Sequence, residues 1–184
     1  MTVPQNDDAP VRIGHGHDIH ALHPGRELWL GGVLVGESPV GFATHSDGDV
    51  LCHAVVDALA GAIADGDLGT HYPEDDPDAD DARSLDFVRA FLPVVHEAGY
   101  EVLNLDSFVT LGTTKLRPYL EEMAFNLASA LDVRRDQVSV KARSNDGIGP
   151  EGRGEAASAS AVVLLRWRLG VEPERAGHSA QLSG

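Results

Sequence analysis

The stretch from Asp47 to Ala64 constrains the fold more than any other, because it is apolar nearly all round. A helix of that composition is expected to be buried. Its polar side chains Asp49, His53 and Asp57 recur every four residues and therefore share one face. Buried aspartate and histidine are seldom left without a partner or a metal. The pattern predicts a buried helix whose polar stripe lines a functional site, unless that stripe is its one solvated face.

The composition fits a single globular domain with a strongly acidic surface. In 184 residues the chain has 42% hydrophobic and 23% charged residues, with a formal net charge of −15. So acidic a protein is a poor partner for nucleic acid, and it repels phosphorylated ligands at long range. An anionic substrate would therefore need a local positive field from a metal, a helix N-terminus or nearby Arg and Lys.

The single cysteine, Cys52, excludes an intramolecular disulfide and indicates a reducing compartment, so we expect a cytoplasmic protein. It also excludes the usual closed structural zinc site, in which four ligands, mostly cysteines, surround the metal. We find neither an apolar run long enough for a membrane helix nor a signal-peptide pattern. The expected partner is therefore a small molecule, with no nucleic acid and no membrane.

Periodicity and turn residues divide the chain into interleaved strands and helices. We expect an α+β fold built on a single mixed β-sheet with helices on one face. Since the predicted helices are too few to cover both faces, we also expect the sheets of several chains to pack together. A short strand is predicted at 11–16, where it ends in a turn permitted by glycine. Further strands are predicted at 102–111, 138–142 and 156–167, a hairpin at 27–35, and helices at 47–64, 84–98 and 118–131.

The expected domain covers residues 11–167, between a disordered segment at 1–10 and a flexible tail at 168–184. Residues 72–81 are acidic and interrupted by proline, which predicts a solvated loop. Pro93 predicts a kink in the second helix. In the glycine-rich segment 145–155, Arg153 either belongs to a flexible connector or presents its guanidinium to a phosphate.

Asp18 and His20 are separated by one residue, so in an extended chain their side chains point to the same side. One metal ion can bind both, and His53 would complete a set of two histidines and a carboxylate. Three protein ligands with an open position are typical of catalytic zinc. Spacing alone does not establish that His53 joins the pair. Asp57 is explained equally well as a carboxylate that orients His53 and as a helix-packing residue.

The residues just before the predicted helix suit a phosphate group. Ser46 is a good N-cap type, and the free N–H groups at a helix start bind phosphate oxygens. His45 would lie beside that anion and donate to it. The chain has no P-loop, no G-x-S-x-G and no H-E-x-x-H motif, so three common enzyme classes are disfavoured.

Four motifs in one order give the chain a specific resemblance. They are R-I-G-H-G-x-D-x-H at 12–20, H-S-D-G-D-V-x-x-H-A-x-x-D-A-L at 45–59, G-D-L-G at 66–69 and G-R-G-E at 152–155. Over residues 11–166 the chain resembles the 2-C-methyl-D-erythritol 2,4-cyclodiphosphate synthase family of the non-mevalonate (MEP) isoprenoid pathway. The resemblance implies a homotrimer with active sites at subunit interfaces. It also implies Zn²⁺ and a second divalent cation, Mg²⁺ or Mn²⁺, as cofactors.

The reaction implied by the resemblance is the cyclisation of 4-diphosphocytidyl-2-C-methyl-D-erythritol 2-phosphate. The 2-phosphate of the substrate attacks the β-phosphorus of its diphosphate, CMP leaves, and the cyclic diphosphate forms. Because the substrate carries its own nucleophile, the enzyme needs positioning and charge neutralisation rather than a nucleophilic side chain.

The resemblance also assigns roles to individual residues of this chain. The implied zinc ligands are Asp18, His20 and His53, the implied catalytic residues are His45 and Ser144, and Asp146 is implied for the second cation. The implied substrate-binding residues are Asp18, His20, His45, Ser46, Asp67, Leu68, Gly69, Lys115, Arg143, Ser144, Asn145, Asp146 and Arg153.

The chain departs from the family pattern after Lys141, where A-R-S-N-D at 142–146 replaces the common Ala-Thr-Thr-Thr-Glu. Ser144 keeps the hydroxyl of the family's transition-state stabiliser, whereas Arg143 changes the cytidine pocket. Pro150 replaces an aromatic residue of the trimer cavity, where Arg153 matches a residue linked to binding a prenyl diphosphate.

Two other functions remain open at this point. One is a zinc hydrolase that acts on a phosphate or amide bond, for which Asp49 is the candidate general base. The other is a trimer that binds a nucleotide or an isoprenoid diphosphate and has lost catalysis through the changes at 143–146. Such a protein would bind CDP-type ligands without turnover.

Overall fold

The computed structural model describes residues 11–44, 46–73 and 83–168. The predicted N-terminal segment, His45, most of the predicted acidic loop and the predicted tail from 169 onward lie outside the described residues. The strands are β1 (Val11–Pro24), β2 (Trp29–Leu30), β3 (Val33–Leu34), β4 (Val40–Phe42), β5 (Tyr100–Thr110), β6 (Val138–Arg143) and β7 (Ala156–Trp167). The helices are α1 (Val50–Ile63), α2 (Leu68–His71), α3 (Ser84–Glu97), α4 (Leu120–Ala130) and α5 (Gly149–Gly152).

Five strands form one mixed sheet in the order β4-β1-β7-β5-β6. Its neighbours pair antiparallel except β5 and β6, which are parallel and are joined through α4. Helix α1 lies on the face of β1 that carries Gly14 and Gly16. The alternate residues of the sheet point to the other face, where Ile13, Ile19 and Val162 are 71%, 43% and 41% exposed. The predicted α+β fold, with one mixed sheet and helices on one face, is confirmed.

Strand β1 continues through Gly16 without a break, so the prediction of a short strand ending in a glycine turn there is wrong. The glycines serve a close approach instead. A Cβ on Gly14 would lie 1.8 Å from the carbonyl oxygen of Ala58, and a Cβ on Gly16 would lie 2.0 Å from that of Ala54. Because neither residue has a side chain, the backbone of α1 rests directly on the strand.

Helix α1 is buried nearly all round, as predicted. It begins at Val50, and its N-cap is Asp49. The Asp49 carboxylate accepts the N–H groups of Leu51 and Cys52, each at 3.1 Å. The expectation that Ser46 caps this helix is therefore wrong, because the carboxylate nearer the first turn takes that place.

The same carboxylate ties α1 to the predicted hairpin, which the structure confirms as β2 and β3. Asp49 Oδ2 accepts the N–H of Gly32 at 2.8 Å. Gly31 and Gly32 have φ values of +56° and +71°, a conformation that glycine adopts without strain. Burial raises the pKa of Asp49, and the hydrogen bond from Gly32 partly opposes that rise. A carboxylate fully enclosed by structural partners is a poor general base for a substrate.

Helices α3 and α4 pack against β5 and β6. Helix α3 is continuous through Pro93, which lies on its exposed side. The glycine-rich segment predicted as a loop contains a 3-10 turn at Asn145–Gly147 and the short helix α5. Among the helices in the described ranges, none has the length and apolar composition required to cross a membrane.

Candidate active site

Asp18, His20 and His53 form a group that can hold a metal ion, with one ligand atom from each lying within 4.8 Å of the others. The first two lie on β1 and the third on α1, so the close approach of helix and strand brings them together. His53 Nδ1 lies 2.9 Å from Asp18 Oδ2, and His20 Nε2 lies 3.4 Å from the same oxygen. The structure thus places His53 beside the Asp-x-His pair, which spacing had left open.

The electrostatics of this group favour a bound cation. Burial raises the pKa of Asp18, but the hydrogen bond with His53 and the nearby His20 ring together outweigh it, so the pKa lies below its ordinary value. Asp18 is therefore held ionised beside two imidazoles. A carboxylate and two imidazole nitrogens are a donor set that suits a divalent metal such as zinc.

The second nitrogen of each histidine is held by the protein. His20 Nδ1 lies 3.2 Å from the carbonyl oxygen of Gly48, and His53 Nε2 lies 2.9 Å from Ser84 Oγ. A carbonyl oxygen only accepts, so His20 Nδ1 carries a hydrogen, and Nε2, on the side of Asp18, is the nitrogen available to a metal. Metal-binding histidines commonly have such a partner on the other ring nitrogen, so the residues present fit a metal ion.

Asp57 does not orient His53. Its Oδ1 accepts the N–H of Leu68 at 2.8 Å and so fixes the start of α2, while the ring nitrogens of His53 face Asp18 and Ser84. The polar stripe of α1 therefore has three separate roles: a helix cap, a metal-facing imidazole and an anchor for α2.

A cleft of about 370 Å³ is lined in part by Phe42, whose ring centre lies 5.7 Å from that of His20 in the metal-binding group. Its rim includes Ser46, whose Oγ accepts the N–H of Gly48 at 3.2 Å. Its lining carries two arginines and two carboxylates, and the guanidinium of Arg83 lies 3.5 Å from the centre of the Trp29 ring. The lining residues are Gly25, Arg26, Glu27, Trp29, Phe42, Ser46, Asp47 and Arg83.

Asp67, Leu68 and Gly69 lie at the start of α2. Asp67 caps α2, because its Oδ1 accepts both the N–H of Thr70 at 2.9 Å and its hydroxyl at 2.7 Å. These hydrogen bonds lower the pKa of Asp67, which is exposed. An ionised, exposed carboxylate of this kind is suited to accept from the hydroxyl groups of a sugar.

Lys115, Arg143 and Ser144 line a separate cleft of about 400 Å³. The guanidinium of Arg143 lies 4.5 Å from the centre of the Phe108 ring. Strand β6, which leads to this cleft, is three strands away from β1 in the sheet. With strands about 4.8 Å apart, that is roughly 14 Å, so within one chain Ser144 does not meet the metal-binding group.

The residues after Ser144 form a tight turn on the surface. Asn145 and Asp146 have φ values of +56° and +48°, and Ser144 Oγ lies 3.2 Å from Asp146 Oδ1. Within residues 11–44, 46–73 and 83–168, Asp146 belongs to no cluster of three metal-ligating side chains. Arg153 is exposed and forms an ion pair with Glu155 at 2.9 Å.

Sequence reasoning missed Ser84 and the hydrogen bonds that Asp47 accepts from it. Ser84 is fully buried at the start of α3, and it lies 31 residues from His53 along the chain. A lone serine at a predicted helix start carries no sequence signal for a contact at that distance. The tertiary contact between α1 and α3 alone reveals it.

The chain is similar to known proteins in sequence and in fold. A profile of the YgbB family matches residues 11–166. A 2-C-methyl-D-erythritol 2,4-cyclodiphosphate synthase of Moorella thermoacetica is 48% identical over 155 residues, covering 84% of this chain and 94% of that protein. One from Salinibacter ruber is 49% identical over 156 residues, covering 85% and 99%. A solved structure of such a synthase, described as the bound form with CDP, gives a TM-score of 0.77 at 36% identity and covers 84% and 99%.

Proposed function

We propose, since the chain belongs to the YgbB family and is a lyase, that it converts 4-diphosphocytidyl-2-C-methyl-D-erythritol 2-phosphate to 2-C-methyl-D-erythritol 2,4-cyclodiphosphate and CMP. The observation that carries this proposal is the group of Asp18, His20 and His53 beside a cleft with two arginines. That arrangement places side chains that can hold a metal near guanidinium groups that can bind a phosphate. The reaction belongs to the MEP route to isoprenoid precursors.

The proposed resident metal is zinc, held by Asp18, His20 and His53. When bound there, zinc would supply Lewis-acid polarisation of a phosphoryl oxygen and a fixed point for the diphosphate. A second divalent cation, Mg²⁺ or Mn²⁺, is proposed at Asp146. One carboxylate suffices for this role, because magnesium is commonly held by one or two carboxylates together with substrate phosphates.

The side chains of the protein position the substrate and neutralise its charge. An oxygen of the 2-phosphate forms a bond to the β-phosphorus, and the bond from that phosphorus to the bridging oxygen breaks, so CMP leaves with the electron pair. His45 and Ser46 are proposed to hold the phosphate and the diol, and Asp67 with Leu68 and Gly69 to hold the ribose. The hydroxyl of Ser144 is proposed to donate to the charge that develops on the transferring phosphorus group.

We infer that each active site is completed by a neighbouring chain of a homotrimer. The roughly 14 Å between β1 and β6 separates the proposed zinc ligands from Ser144 within one chain. The uncovered sheet face carries exposed Ile13, Ile19 and Val162, as expected of a surface buried by association. Lys115 with Arg143, Asn145 and Arg153 would then serve a site built on the metal-binding group of the adjacent chain.

Mixing two inactive variants tests the shared site. His53→Ala should remove metal binding, and Ser144→Ala should remove one transition-state donor at a cost of about 10²-fold to 10³-fold in rate. In trimers refolded from an equal mixture, about one interface in four joins two intact halves, so activity should return to roughly a quarter of wild type. Activity that stays at the level of the separate variants would contradict a site shared between chains.

The hydrolase alternative loses support because its candidate base, Asp49, is fully buried with Gly32, Leu51 and Cys52 as partners. The described surroundings of the metal-binding group offer no other carboxylate free of a structural partner: Asp18 faces the histidines, Asp47 faces Ser84 and Asp57 faces Leu68. Cyclisation by the substrate's own phosphate needs no such base.

A further inference from the structure

The geometry points to Ser84, held by Asp47, as a positioning residue that fixes which nitrogen of His53 faces the metal. The inference deepens the proposed function, because it rests on His53 being a metal ligand. It concerns a chain of hydrogen bonds from a carboxylate through a hydroxyl to an imidazole. Neither Asp47 nor Ser84 is itself a metal ligand in the proposal.

Asp47 and Ser84 are joined by three hydrogen bonds. The N–H of Ser84 lies 3.2 Å from each carboxylate oxygen of Asp47, and the Ser84 hydroxyl makes a short bond to Asp47 Oδ1. The residue before Ser84, Arg83, is the N-cap of α3 and makes no capping bond with its side chain. Asp47 therefore caps α3 from another part of the chain and holds the Ser84 hydroxyl in a fixed direction.

A count of the hydrogens fixes the direction of every bond in this chain. A carboxylate only accepts, so the single hydroxyl hydrogen of Ser84 is directed at Asp47. The remaining lone pairs of Ser84 Oγ can then only accept from the ring nitrogen of His53 that lies 2.9 Å away. His53 Nε2 must therefore carry a hydrogen, and it keeps that hydrogen when a metal is bound. Nδ1, which donates to Asp18 in the metal-free protein, is the nitrogen that would exchange its hydrogen for the metal.

Gly48, the residue after Asp47, orients the other histidine, His20. The carbonyl oxygen of Gly48 accepts from His20 Nδ1 and leaves Nε2 to face Asp18. Gly48 has a φ of +64°, and a Cβ there would lie 2.5 Å from Thr44 Oγ1. The dipeptide at 47–48 therefore orients both imidazoles, one through a backbone carbonyl and one through Ser84.

The positioning role is separable from helix capping. The bonds that cap α3 are donated by the backbone N–H of residue 84, and alanine keeps that N–H. Ser84→Ala therefore keeps the capping bonds and removes the hydroxyl, with its bond to Asp47 and its link to His53. Since partners of metal-binding histidines typically contribute about 10-fold to 100-fold in metal affinity, zinc binding should weaken by that factor.

Zinc affinity measured by competition with a chelator, at one fixed pH, tests the inference. Ser84→Ala should bind zinc about 10-fold to 100-fold more weakly than wild type. Ser84→Thr, which keeps the hydroxyl, should stay near the wild-type value. The matched control is Ser107→Ala, because Ser107 is also a buried serine, with its hydroxyl donating to the carbonyl oxygen of Ser139 at 3.0 Å, but it lies on β5. It should leave zinc affinity unchanged.

A second measurement distinguishes loss of the fixed His53 orientation from a general loosening of the structure around it. In zinc-loaded protein labelled with ¹⁵N, the hydrogen on His53 Nε2 should exchange slowly with water, and Ser84→Ala should accelerate that exchange. Urea unfolding of the metal-free variants establishes that each is folded. If Ser84→Ala does not fold, Ser84→Cys takes its place, because a thiol is a weak donor and acceptor and should also weaken zinc binding.

The outcomes distinguish the inference from the function on which it rests. Wild-type zinc affinity in Ser84→Ala, or an equal loss in Ser84→Thr and Ser84→Ala, would overturn the positioning role and leave the metal site intact. If the wild-type protein itself binds no zinc, the proposed metal site fails, and the positioning role fails with it.

Discussion

Adding one methyl group to Gly16 should push α1 away from β1 and disturb the metal-binding group. In Gly16→Ala the new Cβ would lie 2.0 Å from the carbonyl oxygen of Ala54, whereas such contacts essentially never fall below 3.0 Å. The helix must therefore move by at least 1.0 Å, the difference between these two distances. Inserting a methyl group into so tight a contact typically costs about 1 to 3 kcal/mol of stability.

The displacement acts directly on the proposed site, because His53 moves with α1 while Asp18 stays on β1. Metal–ligand distances tolerate only about ±0.2 Å. A misplacement of about 1 Å commonly costs roughly 10²-fold in rate. At a temperature where Gly16→Ala remains folded, it should therefore lose most of its zinc affinity and most of its CMP release. Its lower stability alone would not explain these losses.

Urea unfolding, zinc competition and CMP release together measure these effects. The matched control is Gly61→Ala on the exposed side of the same helix, where the nearest atom to a new Cβ is 3.9 Å away. That change should stabilise the protein by about 0.4 to 1 kcal/mol and leave zinc affinity unchanged. If Gly16→Ala unfolds and binds zinc like the wild type, the close contact does not set the site geometry.

Three further predictions test single residues. His53→Ala should lose zinc, measured by metal analysis, together with CMP release, and full zinc occupancy in the variant would remove His53 from the ligand set. Asp67→Ala should mainly raise KM with little change in kcat, and an unchanged KM would remove Asp67 from the ribose site. Because burial raises the pKa of Asp49 above its ordinary 3.8, the folded protein holds that proton more tightly than the unfolded chain does. The stability that protonated Asp49 contributes should be fully present below pH 3.8 and lost as the pH rises through the raised pKa. Urea titrations at a series of pH values should show this fall in the wild type and not in Asp49→Asn.

The parts of the fold that follow from local periodicity could be predicted from the sequence. The apolar stretch at 47–64 predicts α1, and alternation predicts β5, β6 and β7 within a few residues of their observed ends. Asp18 and His20 share one side because a strand has a period of two, whatever surrounds it. The short strand β4 and the four-residue helix α2 escaped prediction, because neither is long enough to show a period.

The parts that depend on tertiary contacts could not be predicted. Gly14 and Gly16 suggest a turn when only local conformation is considered, yet they are extended residues that admit the backbone of α1. Asp57 and Ser84 both lie near His53, and only the position of α3 shows that Ser84 is its hydrogen-bond partner. Sequence spacing shows which residues share one side of a strand or helix. The hydrogen-bond partner of each side chain depends on how the helices pack against each other.

The fate of solvent oxygen tests the proposed cyclisation most directly. The zinc-loaded protein would be given its proposed substrate in water enriched in ¹⁸O, and the phosphorus products followed by ³¹P NMR and mass spectrometry. Because an oxygen of the substrate's own phosphate attacks the β-phosphorus, the account predicts one CMP for each cyclic diphosphate, with no ¹⁸O in either product. CMP formation accompanied by an uncyclised 2,4-bisphosphate, with ¹⁸O in one of the two products, would contradict cyclisation and would show a hydrolase.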